Sequence, residues 1–144
     1  MPDDQIGADA ALLKHDDTRP RDFDWVRERY RCTTRGIFEE LRTLAARDVQ
    51  TANQLKTGAR SEFDSGGSHS FSVVASHGRA GGVGLDFVSR SDAIEIRGNN
   101  ETVVLTVTMD DAGRCWLCWG EERLEPWQVL RRALEPLFFP GTAS

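Results

Sequence analysis

The chain has 144 residues, 39% of them apolar and 28% charged, and its 18 basic and 23 acidic side chains give a net charge of −5. That is one domain's worth of sequence. It is too apolar to be disordered throughout, and three cysteines are too few for a disulfide scaffold. No run of about 20 apolar residues is present to span a membrane, and the negative balance argues against a nucleic-acid partner.

Residues 1–20 hold Asp3, Asp4, Asp9, Asp16 and Asp17, and their longest apolar run is Ala10 to Leu13. A secretory leader needs a basic start and a longer apolar stretch. None is read, so a loosely ordered acidic segment, a cytoplasmic protein and three free thiols are expected. A single domain is expected over 21–140, with 141–144 a tail.

From Asp24 to Leu55 the apolar residues recur at steps of three and four: Val26, Tyr30, Ile37, Leu41, Leu44, Ala45, Val49, Ala52 and Leu55. This is the period of an amphipathic helix. Asp22 or Asp24 suits its N-cap, and Gly58 suits its stop. A straight helix over this span would be about 48 Å long, whereas a domain of this size is roughly 37 Å across. The helix must therefore bend, curve round the sheet or find a second copy. Cys32-Thr33-Thr34-Arg35-Gly36 is its weakest stretch, because β-branched residues and Gly have poor helix propensity.

Residues 57–68 read as a connecting loop rich in Gly, Ser and Thr. Five alternating stretches follow, at 69–76, 83–89, 92–97, 102–109 and 114–119, separated by turn-forming residues such as Asp110-Asp111-Ala112-Gly113. They predict an antiparallel meander. Pro126 to Phe138 reads as a second helix, with Pro126 at its first position and Trp127, Leu130, Leu134 and Leu137 as its stripe. The expected fold is α+β in two layers: a long N-terminal helix, bent or protruding, and a C-terminal helix packed on one face of a five-stranded antiparallel meander. Trp119 and Trp127 are expected in the core, and Trp25 near the sheet edge.

Charge is unevenly spread. Residues 19–60 carry ten bases against six acids, and residues 61–144 carry seven against twelve. Glu28 and Arg31, or Glu39 and Arg42, stand at helix-neighbour spacing, which reads as a solvated helix face rather than a phosphate-binding one.

The same alternation defines the face of the meander turned away from the helices. It carries Ser70, Ser72, Val74, Ser76, Asp86, Val88, Glu95, Arg97, Val104, Thr106, Thr108, Trp116 and Cys118. Asp86, Glu95, Arg97, Thr106 and Trp116 are the candidate ligand- or partner-binding residues, as the polar and aromatic members of a mixed surface.

Other motifs fail on context. Cys115 and Cys118 stand three apart on a strand, so their sulfurs point to opposite faces and serve neither redox nor zinc chemistry. The Gly78–Gly84 loop lacks the helix and Lys-Ser ending of a phosphate loop. His69 and His77 have no nucleophile at a spacing that would bring it to the imidazole, although His77, in a loop, is the better acid/base candidate. No catalytic residue, metal site or cofactor is assigned. The expected function is a non-enzymatic protein-interaction or adaptor domain acting as a homodimer, with itself or another protein as partner. The alternative is small-molecule binding or catalysis at the open sheet face and the Gly78–Gly84 loop.

Overall fold

The long amphipathic segment is not one rod. In a computed structural model, which describes residues 23–57, 60–77, 80–98 and 100–139, it divides into α1 (Trp25–Arg31) and α2 (Thr34–Leu55). The division falls inside the stretch of poorest helix propensity. Asp24 caps α1, its carboxylate accepting from the backbone N–H groups of Val26 and Arg27 at 3.1 and 3.2 Å. Thr33 starts α2 afresh, its hydroxyl accepting from the N–H of Gly36 at 2.9 Å. Glycine is needed there because a Cβ on residue 36 would stand 2.5 Å from the carbonyl oxygen of Arg31. With 22 residues, α2 is about 33 Å long. It fits the domain, and the overhang that pointed to a second copy is gone.

α2 ends where Lys56 turns left-handed at φ 54° and the N–H of Thr57 returns to the carbonyl of Ala52 at 3.4 Å. Gly58, the expected stop, lies outside the described residues. So do the acidic segment, the tail and the tip of the Gly78–Gly84 loop.

Among the described residues seven strands follow: β1 (Arg60–Asp64), β2 (Ser70–His77), β3 (Ala80–Ser89), β4 (Ile94–Gly98), β5 (Glu101–Met109), β6 (Cys115–Trp119) and β7 (Glu122–Leu124). They form one antiparallel sheet in chain order. Five were expected, and the two additions are its edges. Neither edge carries a readable alternation of large apolar residues. β1 turns Ser61 and Phe63 inward, and Ser61 is 3% exposed. It is held from outside its own sequence. Asn53 of α2 donates to the carbonyl of Ser61 at 2.8 Å and accepts from its N–H at 3.0 Å. β7 has three residues, of which Leu124 alone is buried.

α3 (Pro126–Phe138) closes the fold and runs through Pro136 to its end. One core joins Ile37, Phe38, Leu41 and Ala45 of α2, Val129, Leu130, Leu134 and Leu137 of α3, and Phe71, Phe87, Ile94, Leu105 and Leu117 of the sheet. Each of these side chains larger than alanine contributes about 1.5–3 kcal/mol of transfer free energy. Phe71 stacks on Phe87 with ring centroids 4.5 Å apart. Trp119 packs against this core, but Trp127 is 52% exposed, contrary to expectation. Val129 and Phe138 are buried, so α3 turns about that edge and Trp127 is left at the rim.

Two of the three cysteines are not free. Cys32 and Cys115 form a disulfide, with Cα atoms 5.5 Å apart and a sequence separation of 83. Strand parity correctly sends Cys115 inward and Cys118 to the opposite face. The partner of Cys115 is set by the helix break, which brings Cys32 over β6. No local spacing encodes that contact.

Candidate functional site

The five candidate residues do share the open face of the sheet. The register places Asp86 beside Arg97, Glu95 between Val88 and Val104, Thr106 beside Cys118, and Thr108 beside Trp116. They form a surface, but not a convergent site. Glu95 is already engaged, accepting from Arg97 at 2.7 and 3.0 Å and from Arg90 at 3.4 Å. The Arg97 hydrogen bond, then that of Arg90, holds its carboxyl below the usual range. Trp116 donates its indole N–H to Asp110 Oδ2 at 2.7 Å. The backbone N–H of Arg114, then this indole, holds Asp110 below its ordinary value. The Asp110-Asp111 turn is thus a closed structural element. Of the large apolar side chains here, Val74 and Val104 are the exposed ones.

A different surface has the features of a binding site. Between the last two turns of α2 and the length of α3 lies a groove of about 350 Å3. Its floor is Ala52, Leu130 and Leu134, and its walls include Leu55, Trp127, Phe138 and Phe139. Leu55 is 71% exposed, Trp127 52% and Phe139 43%. These residues sit at the edges of two amphipathic stripes, where the stripes are wider than the core they cover. The groove also holds two polar groups that have no hydrogen-bond partner among the described residues. Thr57 Oγ1 is buried with no hydrogen bond. Asp48 makes no hydrogen bond or ion pair among the described residues, and burial pushes its carboxyl up, against the smaller opposing pull of Arg47. Arg131 and Glu135, at the rim, pair with each other at 3.4 Å.

Sequence reading missed this groove, since it treated both stripes as core. The available signal was excess: Leu55 and Trp127 lie at the ends of stripes already long enough to cover a sheet.

A second cavity, of about 620 Å3, lies where Arg35 and His69 meet the β3–β4 turn at Arg90. Its cations are occupied. Arg35 donates to the carbonyl of Ser68 at 2.6 Å and pairs with Glu39 at 3.2 Å, while Arg90 pairs with Glu95 at 3.4 Å. His69 is exposed. The side chain of His77 lies outside the described residues. Among the described residues no cluster of three His, Cys, Asp or Glu is placed to hold a metal ion, and no helix is long and apolar enough to cross a membrane. No known protein family, curated protein or solved structure matches the chain.

Proposed function

We propose that this chain is a non-enzymatic protein-interaction domain that acts as a homodimer, and that its contact surface is the α2–α3 groove. The observation that carries the reading is the ring of Leu55, Trp127 and Phe139 around an apolar floor. Isolated exposed apolar side chains are ordinary, but a contiguous patch around a concavity marks an interaction site. The open sheet face, first in line on sequence grounds, fits the role less well. Its Glu95 and Trp116 are spent on neighbours, and its exposed apolar area is two valines. In a reducing compartment such as the cytoplasm the Cys32–Cys115 bond persists only if its reduction potential lies below that of the glutathione pool.

Two substitutions separate the surfaces. Trp127→Ser removes apolar area from the groove and Val104→Ser removes it from the sheet face. Light scattering is expected to show self-association lost in the first and retained in the second. The reverse pattern would move the interface to the sheet.

A second reading, a small-molecule site, is favoured by the unpartnered Thr57 hydroxyl and by a groove volume within the range of ligand pockets. It places the ligand on the helix side rather than at the Gly78–Gly84 loop.

A further inference from the structure

α1 has seven residues and buries none of them. At about 100° per residue, Trp25, Val26, Arg29 and Tyr30 fall on one face, and Arg27, Glu28 and Arg31 on the other. The second face is tied to the body of the fold. Arg31 pairs with Glu28 at 3.0 Å and with Glu40 at 2.9 Å. Glu28 also accepts the backbone N–H of Cys115 at 2.7 Å. The first face points to solvent, with Trp25 56%, Val26 57% and Tyr30 86% exposed. Arg29, among them, makes no ion pair with any described residue.

So short a helix is unstable by itself. Here the Asp24 cap, the Glu28 contact and the disulfide at its C-terminal end hold it, and together they present three large apolar side chains around one unpaired cation. The α2–α3 groove has the converse design, with apolar walls around one carboxylate, Asp48, that makes no ion pair among the described residues.

We propose that the outer face of α1 docks into the α2–α3 groove of a second copy, with Arg29 paired to Asp48. The same contact made in return closes a two-fold dimer. Trp25 and Tyr30 are the anchors that fill the groove, as aromatic side chains commonly are at interfaces. The Arg29–Asp48 pair fixes register and excludes other apolar helices more than it adds affinity. Distance excludes the simplest competitor, α1 folding back into its own groove. Along α2, Asp48 lies about 21 Å beyond Thr34 at the helix start, and α1 is tied at that far end by the disulfide.

This inference rests on the homodimer reading, and a charge-swap cycle separates the two. Native mass spectrometry or sedimentation would follow Arg29→Asp, Asp48→Arg, their equimolar mixture and the double variant, with circular dichroism to check folding. Each single variant is expected to weaken self-association by roughly tenfold or more. The mixture is expected to form a heterodimer and the double variant a homodimer, because both contacts then regain opposite charges. Val26→Asp changes an exposed α1 position without touching the core, is expected to weaken the dimer, and keeps the test open where Asp48→Arg disturbs the fold. A wild-type chain that stays monomeric would overturn both readings. A dimer that survives Arg29→Asp and Val26→Asp would overturn this one and leave the homodimer standing. Folded single variants that fail to recover on mixing would overturn the pairing.

Discussion

Glu28 Oε2 accepts the backbone N–H of Cys115 at 2.7 Å, next to the disulfide that joins Cys115 to Cys32. One side chain and one covalent bond thereby fasten the N-terminal helix to the sixth strand. The tether matters because α1 buries none of its residues, and its other hold on the fold is the half-exposed Arg31–Glu40 ion pair. Removing the bond by Cys32→Ala is expected to cost about 2–4 kcal/mol of stability, since it restores the freedom of a long closed loop in the unfolded chain. Urea unfolding of the oxidised wild type against this variant checks it. Equal midpoints would show that the bond does not constrain the fold.

Gly36→Ala tests the helix break. By propensity alone, alanine at an α-helical position is better than glycine by about 1 kcal/mol. The added Cβ would stand 2.5 Å from the Arg31 carbonyl oxygen, a backbone atom that cannot swing aside. A net loss of about 1–3 kcal/mol is expected, as for other overpacked sites. A gain in thermal midpoint would mean that α1 and α2 can rearrange about Cys32 at little cost.

Arg42 is the latch of the β1–β2 turn. Its guanidinium donates to the carbonyls of Gly67 at 2.8 Å and Ser70 at 3.2 Å and lies over the rings of Phe38 and Phe71. Arg42→Met keeps the stem and removes the donors, and is expected to cost about 1.5–3 kcal/mol, the range for hydrogen bonds to a charged group. Faster amide exchange confined to the β1–β2 turn would accompany the loss. Unchanged exchange there would show that the turn holds without the latch.

Asp48 gives a pH dependence of defined sign. Burial raises its carboxyl pKa in the folded chain, with Arg47 opposing and the paired Arg131 and Glu135 at the groove rim. The folded state therefore binds the proton more tightly than the unfolded state, and stability falls as pH rises from the unfolded value through the raised one. In dilute samples Asp48→Asn is expected to be more stable than wild type at neutral pH, with the difference vanishing on acidification. A variant less stable at neutral pH would mean that the carboxylate has a favourable partner in the monomer.

Much of the fold was legible because its signals are local. The alternation of Phe71, Val73 and Ala75 or of Ile94 and Ile96 sets which face is buried, and Pro126 marks a helix start. The weak Cys32–Gly36 stretch sits where the helix divides. β1 escaped because its pairing depends on Asn53 reaching from α2 to Ser61, and β7 because three residues carry no period. The disulfide escaped because Cys32 meets Cys115 only once the helix is broken. The open sheet face was found residue by residue, yet Glu95 is taken up by Arg97 and Arg90, and Trp116 by Asp110. The groove was hidden because a stripe residue at the rim and one in the core look alike until both helices are placed.

The most direct measurement is the mass of the oxidised wild-type chain by sedimentation across a wide dilution series. The expected result is a species of twice 16.1 kDa that dissociates reversibly to 16.1 kDa on dilution. A mass of 16.1 kDa at every concentration would contradict the homodimer and with it the docking of α1 into the α2–α3 groove.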